Sequence, residues 1–523
     1  MRKRRLVFVL AGAALAAGLI GPIAAGASGH SVLPAGRTGV KGLAQFVSNA
    51  RPASGNVGYT PPRVNRPGAP SIGASWNGIS DSSVTPPDPN GAIGPSSYVE
   101  VINLKIAIYN RTGGTIASAT LGTLTGHSNF SLSDPMVLWD PQTQRFYYNV
   151  WDVNQATMAW GFSKDSNPTT IPGSWCNYTN SFGYSTSEFP DYPKLGQTHD
   201  FLLIGVNHYP SLSSQHADRS DVLWINKPTQ SNPFTTCPAG STFNSGKFTN
   251  VRNQDGTQAF TPVPAIQADG SGIGYVVTSS DIECPDICGT GTKITIHPVR
   301  ANPSNPSVPQ MLVTGKSITV PSFAPPSTDA PQSGSSNKLD TLDGRLEHAV
   351  SYVDPQNGHK VVLTGHNVDS SGGRSEFRWY EIDVNSPTAP VLFQSGTVGS
   401  SSLYVFNGAA SSDRTCTLTQ CAHGDSIVIG FTTSSSTTFA TDQMVSKIGS
   451  GAQSSFVLVH ASTVADKDFS CTPCRWGDYG GATPDPAASL TAAHGEVWLT
   501  QMYTNGGSVF SGGGASWNWE AAP

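Results

Sequence analysis

The strongest constraint on the fold is a two-strand unit that the chain repeats, seen most clearly over residues 134–153, DPMVLWDPQTQRFYYNVWDV. The runs PMVLWD and RFYYNVWDV are rich in apolar, aromatic and β-branched residues, and an Asp-Pro pair between them favours a reverse turn. An apolar run of this length between turn residues is typical of a strand buried on both faces. The stretch therefore predicts two antiparallel strands inside a β-sheet.

Units of this kind follow one another along the chain, beginning near Trp76, Asp134, Asp191, Thr261, Arg345, Phe406 and Arg475. Each is followed by further strand-like runs such as MAWGFS and DVLWIN, and no convincing amphipathic helix separates them. Recurring four-stranded sheets predict an all-β fold, a β-propeller. We expect seven blades, with six as the second choice if the segment around Asp88 completes the last blade. Residues 517–519 are the candidate outer strand of that blade. An assembly of β-sandwiches is the alternative, but it does not explain the recurring pair.

The N-terminal region has a different composition. A basic start, an apolar stretch and the small-residue site Ala25-Gly26-Ala27 predict that residues 1–27 are a secretion signal. A transmembrane anchor is the alternative. Residues 28–75 are rich in Pro and Gly without periodicity, which predicts a disordered linker before a propeller domain at 76–523. We expect a secreted, extracellular monomer with no membrane span in the mature chain.

Charge restricts the range of partners. Charged residues make up 12% of the chain and the formal net charge is −5, whereas roughly a quarter of the residues in an average soluble protein are charged. No basic stripe is present that would indicate a nucleic-acid or membrane-surface partner. The chain also lacks a nucleophile elbow, an HExxH motif, a P-loop and a cofactor fingerprint.

The chain has eight cysteines, an even number that fits an oxidising compartment. Six form pairs that are close in sequence, Cys284 with Cys288, Cys416 with Cys421, and Cys471 with Cys474, which leaves Cys176 for Cys237. A zinc site is the alternative, but only the last of the close pairs has C-x-x-C spacing and no second such pair follows it. The spacing predicts four disulfides.

The propeller geometry predicts where a site would form. The innermost strand of each blade begins at one mouth of the central channel, and the antiparallel second strand returns to that mouth. The candidate ligand-binding residues at these positions are Asp134, Asp191, Tyr192, Arg345, His366, Arg475, Asp478 and Tyr479. Arginines at such a rim favour anionic partners, and the carboxylates are suited to hydroxyl groups or to a cation.

Asp88 and Asn90 are the candidate metal ligands, in a turn that resembles a small calcium-binding loop but lacks the ligand series of an EF-hand. A structural role is the alternative for each aspartate, because Asp before Pro or at a strand start commonly caps loop amides. For His366, a hydrogen bond within a loop is the corresponding alternative.

Several short motifs occur in an order that resembles a group of secreted bacterial propeller proteins without an established activity: PPDPNGAIGP, SDPMVLWDPQTQRFYY, DYPKLG, LDGRLEHAVSY, TGHNVD, FRWYEID, FQSGT and RWGDYGG. The resemblance covers residues 76–503 and implies an architecture similar to sialidase-like and other glycan-handling propellers. The S-x-D-x-G-x-T-W box of true sialidases does not occur, so sialidase chemistry is not implied.

Two functions follow from these observations. In the first, the polar mouth binds and cleaves a glycan, with arginines holding an acidic group and a carboxyl pair acting as acid and base. In the second, the protein is a non-enzymatic extracellular binding or structural module whose mouth is capped by calcium or by loops. The sequence leaves open whether the protein is an enzyme.

Overall fold

The computed structural model describes residues 45–46, 68–214, 216–228, 233–280, 289–355, 358–506 and 514–523. Before the first blade, the short strands β1 (Gln45–Phe46) and β3 (Val84–Thr85) pair with each other, and β2 (Ser71–Ser80) lies between them in sequence. The sheets that follow form the seven-bladed β-propeller that the sequence predicts.

The first four blades follow the order of the chain. Blade I contains β4 (Asn90–Ile93), β5 (Ser97–Ile102), β6 (Lys105–Asn110) and β7 (Thr115–Thr120). Helix α1 (Leu121–Thr125) and a 3-10 turn (Asn129–Ser131) lead to blade II, with β8 (Leu132–Asp140), β9 (Arg145–Asp152), β10 (Thr157–Ser163) and β11 (Trp175–Asn180). Blade III contains β12 (Phe189–Gln197), β13 (Phe201–Tyr209), β14 (Arg219–Asn226) and, after a second 3-10 turn (Gly240–Thr242), β15 (Ser245–Phe248). Blade IV contains β16 (Ala259–Pro264), the short β17 (Ile266–Gln267) that pairs with the next blade, β18 (Ile273–Ser280), β19 (Gly291–Asn302), β20 (Asn305–Met311) and β21 (Lys316–Phe323).

The last three blades complete the ring. Blade V contains β22 (Leu346–Asp354), β23 (His359–Asp369), β24 (Ser375–Asp383) and β25 (Val391–Val398). Blade VI contains β26 (Tyr404–Ser412), a hairpin of β27 (Thr415–Cys416) and β28 (Cys421–Ala422), then β29 (Ser426–Ser435), β30 (Thr438–Ile448) and β31 (Val457–Ala461). Blade VII contains β32 (Gly481–Pro484), β33 (Val497–Thr504) and β34 (Gly514–Ala522), and β2 is its outermost strand.

The ring closes by joining the two ends of the described domain. Strand β2 pairs with β34 with Trp76 opposite Asn518, so residues 517–519 lie in the third strand of blade VII and the N-terminal segment supplies the fourth. Residues 517–519 were expected to form the outermost strand of this blade, but β2 takes that position. The sequence did not indicate this, because β2 precedes blade I and does not belong to a two-strand unit. Glu100 of blade I, fully buried, accepts hydrogen bonds from Ser516 Oγ and, at 3.0 Å, from Asn518 Nδ2. The closure therefore has a specific polar contact between the first and last blades.

The sequence pattern accounts for the layering of each blade. Every residue of β8 and β9 is buried, as the uninterrupted apolar runs predict, whereas exposed and less exposed residues alternate along much of the outermost strand β25. The innermost strands of consecutive blades contact one another around the whole ring. Blades approach closely enough that a Cβ placed on Gly205 would lie 1.9 Å from the Pro262 carbonyl oxygen, so only glycine fits there.

Covalent links agree with the prediction for six of the eight cysteines. Disulfides join Cys176 to Cys237, Cys416 to Cys421, and Cys471 to Cys474. Cys284 and Cys288 lie outside the described residues. In the described part of the chain, no helix is both long and apolar enough to cross a membrane.

Candidate functional site

The upper mouth is the end of the channel at which the innermost strands begin, and irregular strand starts build it. In blades II to VI the pairing of the innermost strand with the second strand shifts register near its start. Residues with left-handed φ angles occupy four of these shifts: Asp134 (58°), Tyr192 (58°), Thr261 (45°) and Asn407 (52°). Such a conformation costs a non-glycine residue about 1–3 kcal/mol and persists where the surroundings hold it, often at functional sites.

Amide side chains at the ends of second strands hold these bulges. Asn103 of blade I accepts a hydrogen bond from the Asp134 backbone N–H at 2.9 Å. Asn207 of blade III accepts one from the Thr261 N–H at 2.8 Å and donates another to the Thr261 hydroxyl at 2.8 Å. Each asparagine thus fixes the strand start of the following blade, and both amides have a structural role at the mouth.

Carboxyl groups from blades I, II and VII meet at the upper mouth. Asp88 Oδ1 accepts a hydrogen bond from the Asp478 N–H at 2.8 Å, and Asp134 Oδ2 accepts one from the Tyr479 hydroxyl at 3.0 Å. These four residues are at most 3% exposed. Asp191, which is 2% exposed, is close enough that its charge raises the pKa of Asp134. Positions far apart in the sequence therefore share one buried acidic cluster.

Two side chains of blade III reach across the channel to blade VII. The Tyr192 hydroxyl donates to the Asp478 carbonyl at 2.6 Å, and Lys194 Nζ donates to the same oxygen at 3.2 Å. The Tyr192 and Tyr479 rings stack with their centroids 5.1 Å apart, and Lys194 Nζ lies 4.1 Å and 3.8 Å from their respective centroids. This ammonium group is held by two π faces and a carbonyl dipole.

Arg345 is the buried cation of blade V at this mouth. Its guanidinium makes a bidentate ion pair with Asp343, with Nε 2.6 Å from Oδ1, and both side chains are 2% exposed. The guanidinium carbon also lies 4.5 Å from the centre of the Tyr192 ring. Arg345 thus joins the tyrosine pair to the acidic cluster.

Residues 475–480 close the mouth. Arg475 pairs with the Asp478 carboxylate, and the indole N–H of Trp476 donates to Thr432 Oγ1 at 3.3 Å. The Arg475 side chain is 11% exposed, whereas that of Asp478 is 3% exposed. Asp478 and Tyr479 cover the acidic cluster from the blade VII side, so solvent reaches the cluster most readily at Arg475.

Burial perturbs the titration of the cluster. Burial raises the pKa of Asp88 to about 8, and the Asp478 carboxylate adds to the increase. The pKa of Asp134 is also well above its usual value, because of burial first and then the charges of Asp88 and Asp191. Burial lowers the pKa of Lys194 to about 7 and raises that of Glu347 to about 8, although each charge opposes the shift of the other. The pKa values of Asp88, Lys194 and Glu347 therefore lie close to neutral pH, as those of functional acids and bases commonly do.

Two of the predicted residues lie in other environments. His366 is buried in blade V, where Nδ1 is 2.7 Å from the Gly344 carbonyl and Nε2 is 3.0 Å from the Tyr380 hydroxyl. Asn90 Oδ1 accepts a hydrogen bond from the Val137 N–H at 2.9 Å, whereas the carboxylate of Asp88 faces Asp478. Direct contacts or interactions between charges bring the remaining candidates together: Asp134, Asp191, Tyr192, Arg345, Arg475, Asp478 and Tyr479.

Two residues of this mouth, Lys194 and Asp343, were not among the predicted site residues. Lys194 follows Tyr192 by two positions, the spacing that places side chains on the same face of a strand. The available signal was a lysine within the predicted innermost strand of the third unit, DYPKLG. Asp343 lies in the loop before β22, and the Asp-Gly-Arg sequence there reads as an ordinary turn.

Potential metal ligands group elsewhere in the described part of the chain. Asp485, Glu496 and Glu520 bring carboxylate oxygens within 4.8 Å of one another, as do the ligand atoms of Asp413, Asp425 and His494. Two further groups contain cysteines that form disulfides. Asp485 is already paired with Arg111. Calcium at Asp88 and Asn90 stays a prediction.

The fold and this mouth define the class of the molecule, a seven-bladed β-propeller with a buried polar cluster at one end of its channel. No protein-family model and no curated protein matches the chain. Among solved structures, an exo-1,5-α-L-arabinanase from a bovine ruminal metagenomic library is similar over 61% of this chain and 98% of its own, with 10% identity and a TM-score of 0.29.

The glycoside hydrolase family 43 YxiA protein from Bacillus licheniformis is similar over 86% of this chain and 99% of its own, with 13% identity and a TM-score of 0.29. Prolyl oligopeptidase B from Galerina marginata covers 80% of this chain and 47% of its own, with 7% identity and a TM-score of 0.37. Likenesses this distant carry no argument about activity.

Proposed function

We propose that this protein is a secreted propeller that binds an acidic glycan at the upper mouth. One observation carries the proposal: carboxyl groups, a stacked tyrosine pair and three cationic side chains from blades I, II, III, V and VII converge there. Carboxylates bind sugar hydroxyls, aromatic rings pack on the apolar faces of sugars, and arginines bind acidic groups in bidentate fashion. The disulfides in the described chain support an oxidising compartment.

Arg475 is the first contact for such a ligand. It is the more exposed member of its ion pair with Asp478, so a ligand carboxylate competes with Asp478 for the same guanidinium. Burial raises the pKa of Asp478, and Arg475 opposes this increase. When the ligand takes Arg475, Asp478 loses the strongest of its counter-charges and its pKa rises further, so we expect it to take up a proton. Binding is then coupled to proton uptake.

The same cluster contains the groups needed to hydrolyse a glycosidic bond. Hydrolysis needs one protonated carboxyl group to assist the leaving group and one carboxylate on the other side of the bond. Burial and the neighbouring carboxylates hold the pKa of Asp134 well above its usual value, which favours its protonated form, whereas Asp478 is ion-paired with Arg475. Pairs of acids with different environments are suited to these two roles.

A non-enzymatic module with a loop-capped mouth is the second candidate function. The observation in its favour is the closure of the mouth by residues 475–480, with Tyr192 and Lys194 bonded across the channel to the Asp478 carbonyl. In that case the cluster stabilises the ring and binds nothing.

Calorimetric titration with a galacturonic acid tetrasaccharide, and with its neutral galactose counterpart, tests the proposal. We expect the acidic sugar alone to bind, and Arg475→Gln to lose about 2–5 kcal/mol of affinity, as when a desolvated charge pair loses one partner. Thermal unfolding of the same variant serves as the control. If the wild-type protein binds neither sugar and Arg475→Gln only lowers the melting temperature, the results support the loop-capped module. Release of reducing ends by wild type but not by Asp134→Asn tests hydrolysis.

A further inference from the structure

One disulfide of the described chain lies in the loop that leads into the upper mouth. Cys471 and Cys474 are joined there, between β31 and β32 and directly before Arg475, and we call this bond the loop disulfide. Cys471 is partly exposed, whereas Cys474 is fully buried in the same apolar cluster as Trp476. A thiol that arrives from solvent therefore meets Cys471 first, and its attack on that sulfur would expel the sulfur of Cys474.

A buried carboxyl group lies beside the loop disulfide. A carboxylate oxygen of Asp466 and the two sulfur atoms lie within 4.8 Å of one another. Asp466 is fully buried, forms no ion pair with a described residue, and accepts a hydrogen bond at Oδ1 from the Asp468 N–H at 3.2 Å. Its Oδ2 atom has no hydrogen-bond partner. Burial first, and then the charge of Asp468, hold the pKa of Asp466 well above its usual value, which favours the protonated form.

The surroundings of the two sulfurs also suit a reduced loop. Cys474 Sγ lies 3.5 Å from the Asp466 carbonyl oxygen and 3.9 Å from Gln332 Nε2. Cys471 Sγ lies 3.6 Å from Asp468 Oδ1. After reduction each thiol would therefore find an acceptor already in place, and the Gln332 amide offers a weak donor to a thiolate at Cys474.

Hydrogen bonds of the backbone hold this loop in addition to the disulfide. The Cys474 N–H donates to the Lys338 carbonyl at 2.8 Å, and the Asp340 N–H donates to the Cys474 carbonyl at 2.8 Å. The Arg475 N–H donates to Ser470 Oγ at 3.0 Å. None of these three bonds involves a sulfur atom, so they can persist when the disulfide opens.

The hairpin disulfide, which joins Cys416 on β27 to Cys421 on β28, combines the same groups in a different electrostatic state. A carboxylate oxygen of Asp269 also lies within 4.8 Å of both sulfurs of this bond, and Oδ1 is 3.5 Å from Cys416 Sγ. The same Oδ1 atom forms an ion pair with Arg414 Nη2 at 2.8 Å. A carboxylate that is paired with a guanidinium is charged, so it repels a departing thiolate and does not protonate it.

We propose that the loop disulfide is a site of thiol–disulfide exchange with a small dithiol, at which the Asp466 carboxyl group protonates the departing sulfur. A thiolate of the dithiol attacks Cys471 Sγ, a new S–S bond forms, and the old bond breaks with its electron pair on Cys474 Sγ. Asp466 gives that sulfur a proton and regains one from solvent. The second thiolate of the dithiol then attacks its own sulfur in the mixed disulfide, which releases Cys471 as a thiolate that takes a proton from water. The dithiol leaves as a cyclic disulfide, and the protein keeps two thiols.

Reduction of the intact, folded protein by dithiothreitol tests the site. New thiols are alkylated at timed intervals, and mass spectrometry of the peptides follows each disulfide separately. We expect the loop disulfide to open about ten-fold faster than the hairpin disulfide, although Cys421 of the hairpin is exposed. Asp466→Asn should slow the opening of the loop disulfide about ten-fold and leave the hairpin disulfide unchanged. Asp269→Asn is the matched control, and it should leave the opening of the loop disulfide unchanged.

The pH profile separates proton donation from a purely structural role of Asp466. Asp468 is the charged group that faces Asp466, and Arg475 in turn faces Asp468. When each rate constant is expressed per dithiothreitol thiolate, opening of the loop disulfide in wild type should slow as the pH rises and Asp466 loses its proton. The profile of Asp466→Asn should be flat.

The wild-type profile decides the question by itself if Asp466→Asn does not fold. A flat wild-type profile would overturn the proposal. So would a loop disulfide that opens more slowly than the hairpin disulfide, or one whose opening a folded Asp466→Asn variant leaves unchanged.

Discussion

The two ends of the channel differ in how their buried polar groups are paired. At the upper mouth the described charged groups pair with near neighbours in the chain, as in Arg345 with Asp343 and Arg475 with Asp478, and Lys194 reaches across the channel to the Asp478 carbonyl. At the lower mouth, the end of the channel at which the innermost strands finish, Arg414 and Asp269 neutralise each other, and the buried side chains of Gln267 and Trp139 each keep one polar atom without a partner. A ligand at the upper mouth must therefore break an ion pair, so its binding depends on pH and salt.

Arg345→Ala is expected to have the largest effect on the stability of the upper mouth. The change leaves the Asp343 carboxylate buried without its bidentate partner, which typically costs about 3–5 kcal/mol of unfolding free energy. Arg345→Lys should recover little, because lysine lacks the planar fork. Denaturant unfolding measures both. The matched control is Lys105→Ala, in an ion pair with Asp81 whose two side chains are 35% and 14% exposed, where about 1 kcal/mol or less is expected. Equal losses at the two sites would contradict the account.

The pH dependence of stability is the next largest effect. The pKa of Asp88 is about 8 in the folded chain, so the folded state keeps a proton that the unfolded state releases near pH 4. The stability that this group contributes is therefore present at low pH and is lost as the pH rises towards 8, by a few kcal/mol. Asp478, Arg475 and Asn103 are the groups that face Asp88: the charge of Asp478 raises the pKa of Asp88, whereas the charge of Arg475 and the hydrogen bond from Asn103 lower it.

The raised pKa of Glu347 also makes stability fall with rising pH. The pKa of Lys194, lowered to about 7, has the opposite effect and makes stability rise above pH 7. Melting temperatures between pH 4 and 8 should fall with rising pH, and Asp88→Asn should flatten the slope. Gln267→Met at the lower mouth should leave the slope intact. A wild-type protein that becomes more stable as the pH rises from 4 to 8 would contradict the raised pKa of Asp88.

Tyr479→Phe should have an intermediate effect. Removing the hydroxyl takes away the donor 3.0 Å from Asp134 Oδ2 and keeps the ring that stacks on Tyr192. We expect a loss of about 1–3 kcal/mol in unfolding free energy, because a buried acceptor loses its donor. A double-mutant cycle with Asp134→Ala isolates the bond, and additive effects of the two changes would show that the residues do not interact.

Trp139→Phe at the lower mouth should have the smallest effect on stability. The change removes an N–H group that has no partner, so no hydrogen bond is lost and only packing volume changes. A destabilisation of about 1 kcal/mol is expected in denaturant unfolding. A loss comparable with that of Arg345→Ala would show that the indole N–H is bonded after all.

The fold was predictable because its signal is local and repeated. Each two-strand unit predicts the innermost and second strands of a blade, and in the unit at residues 134–153 every residue of these strands, β8 and β9, is buried. Strand β2 was not predictable in this way, because its partner β34 lies more than 400 residues away and only Trp76 of its own residues is buried. The pairing of β2 with β34 depends on closure of the ring and not on a local sequence signal.

The site was predictable in position but not in its internal pairing. Strand order alone places Asp134, Asp191, Arg345 and Asp478 near one mouth. The sequence does not reveal that Arg345 pairs with the nearby loop residue Asp343, or that Lys194 crosses the channel to the Asp478 carbonyl. The lower mouth had no motif, because a tryptophan and a glutamine without partners become visible only when the strands are in place.

Proton uptake on binding tests the central claim most directly. The galacturonic acid tetrasaccharide is titrated into the protein near pH 7 in two buffers with different ionisation enthalpies. We predict net uptake of up to one proton per ligand in wild type, because Asp478 gains a proton when the ligand takes Arg475, and no uptake in Asp478→Asn. Tight binding of the acidic sugar with no proton exchange in wild type, or with the same uptake in Asp478→Asn, would contradict the exchange of ion pairs at the upper mouth.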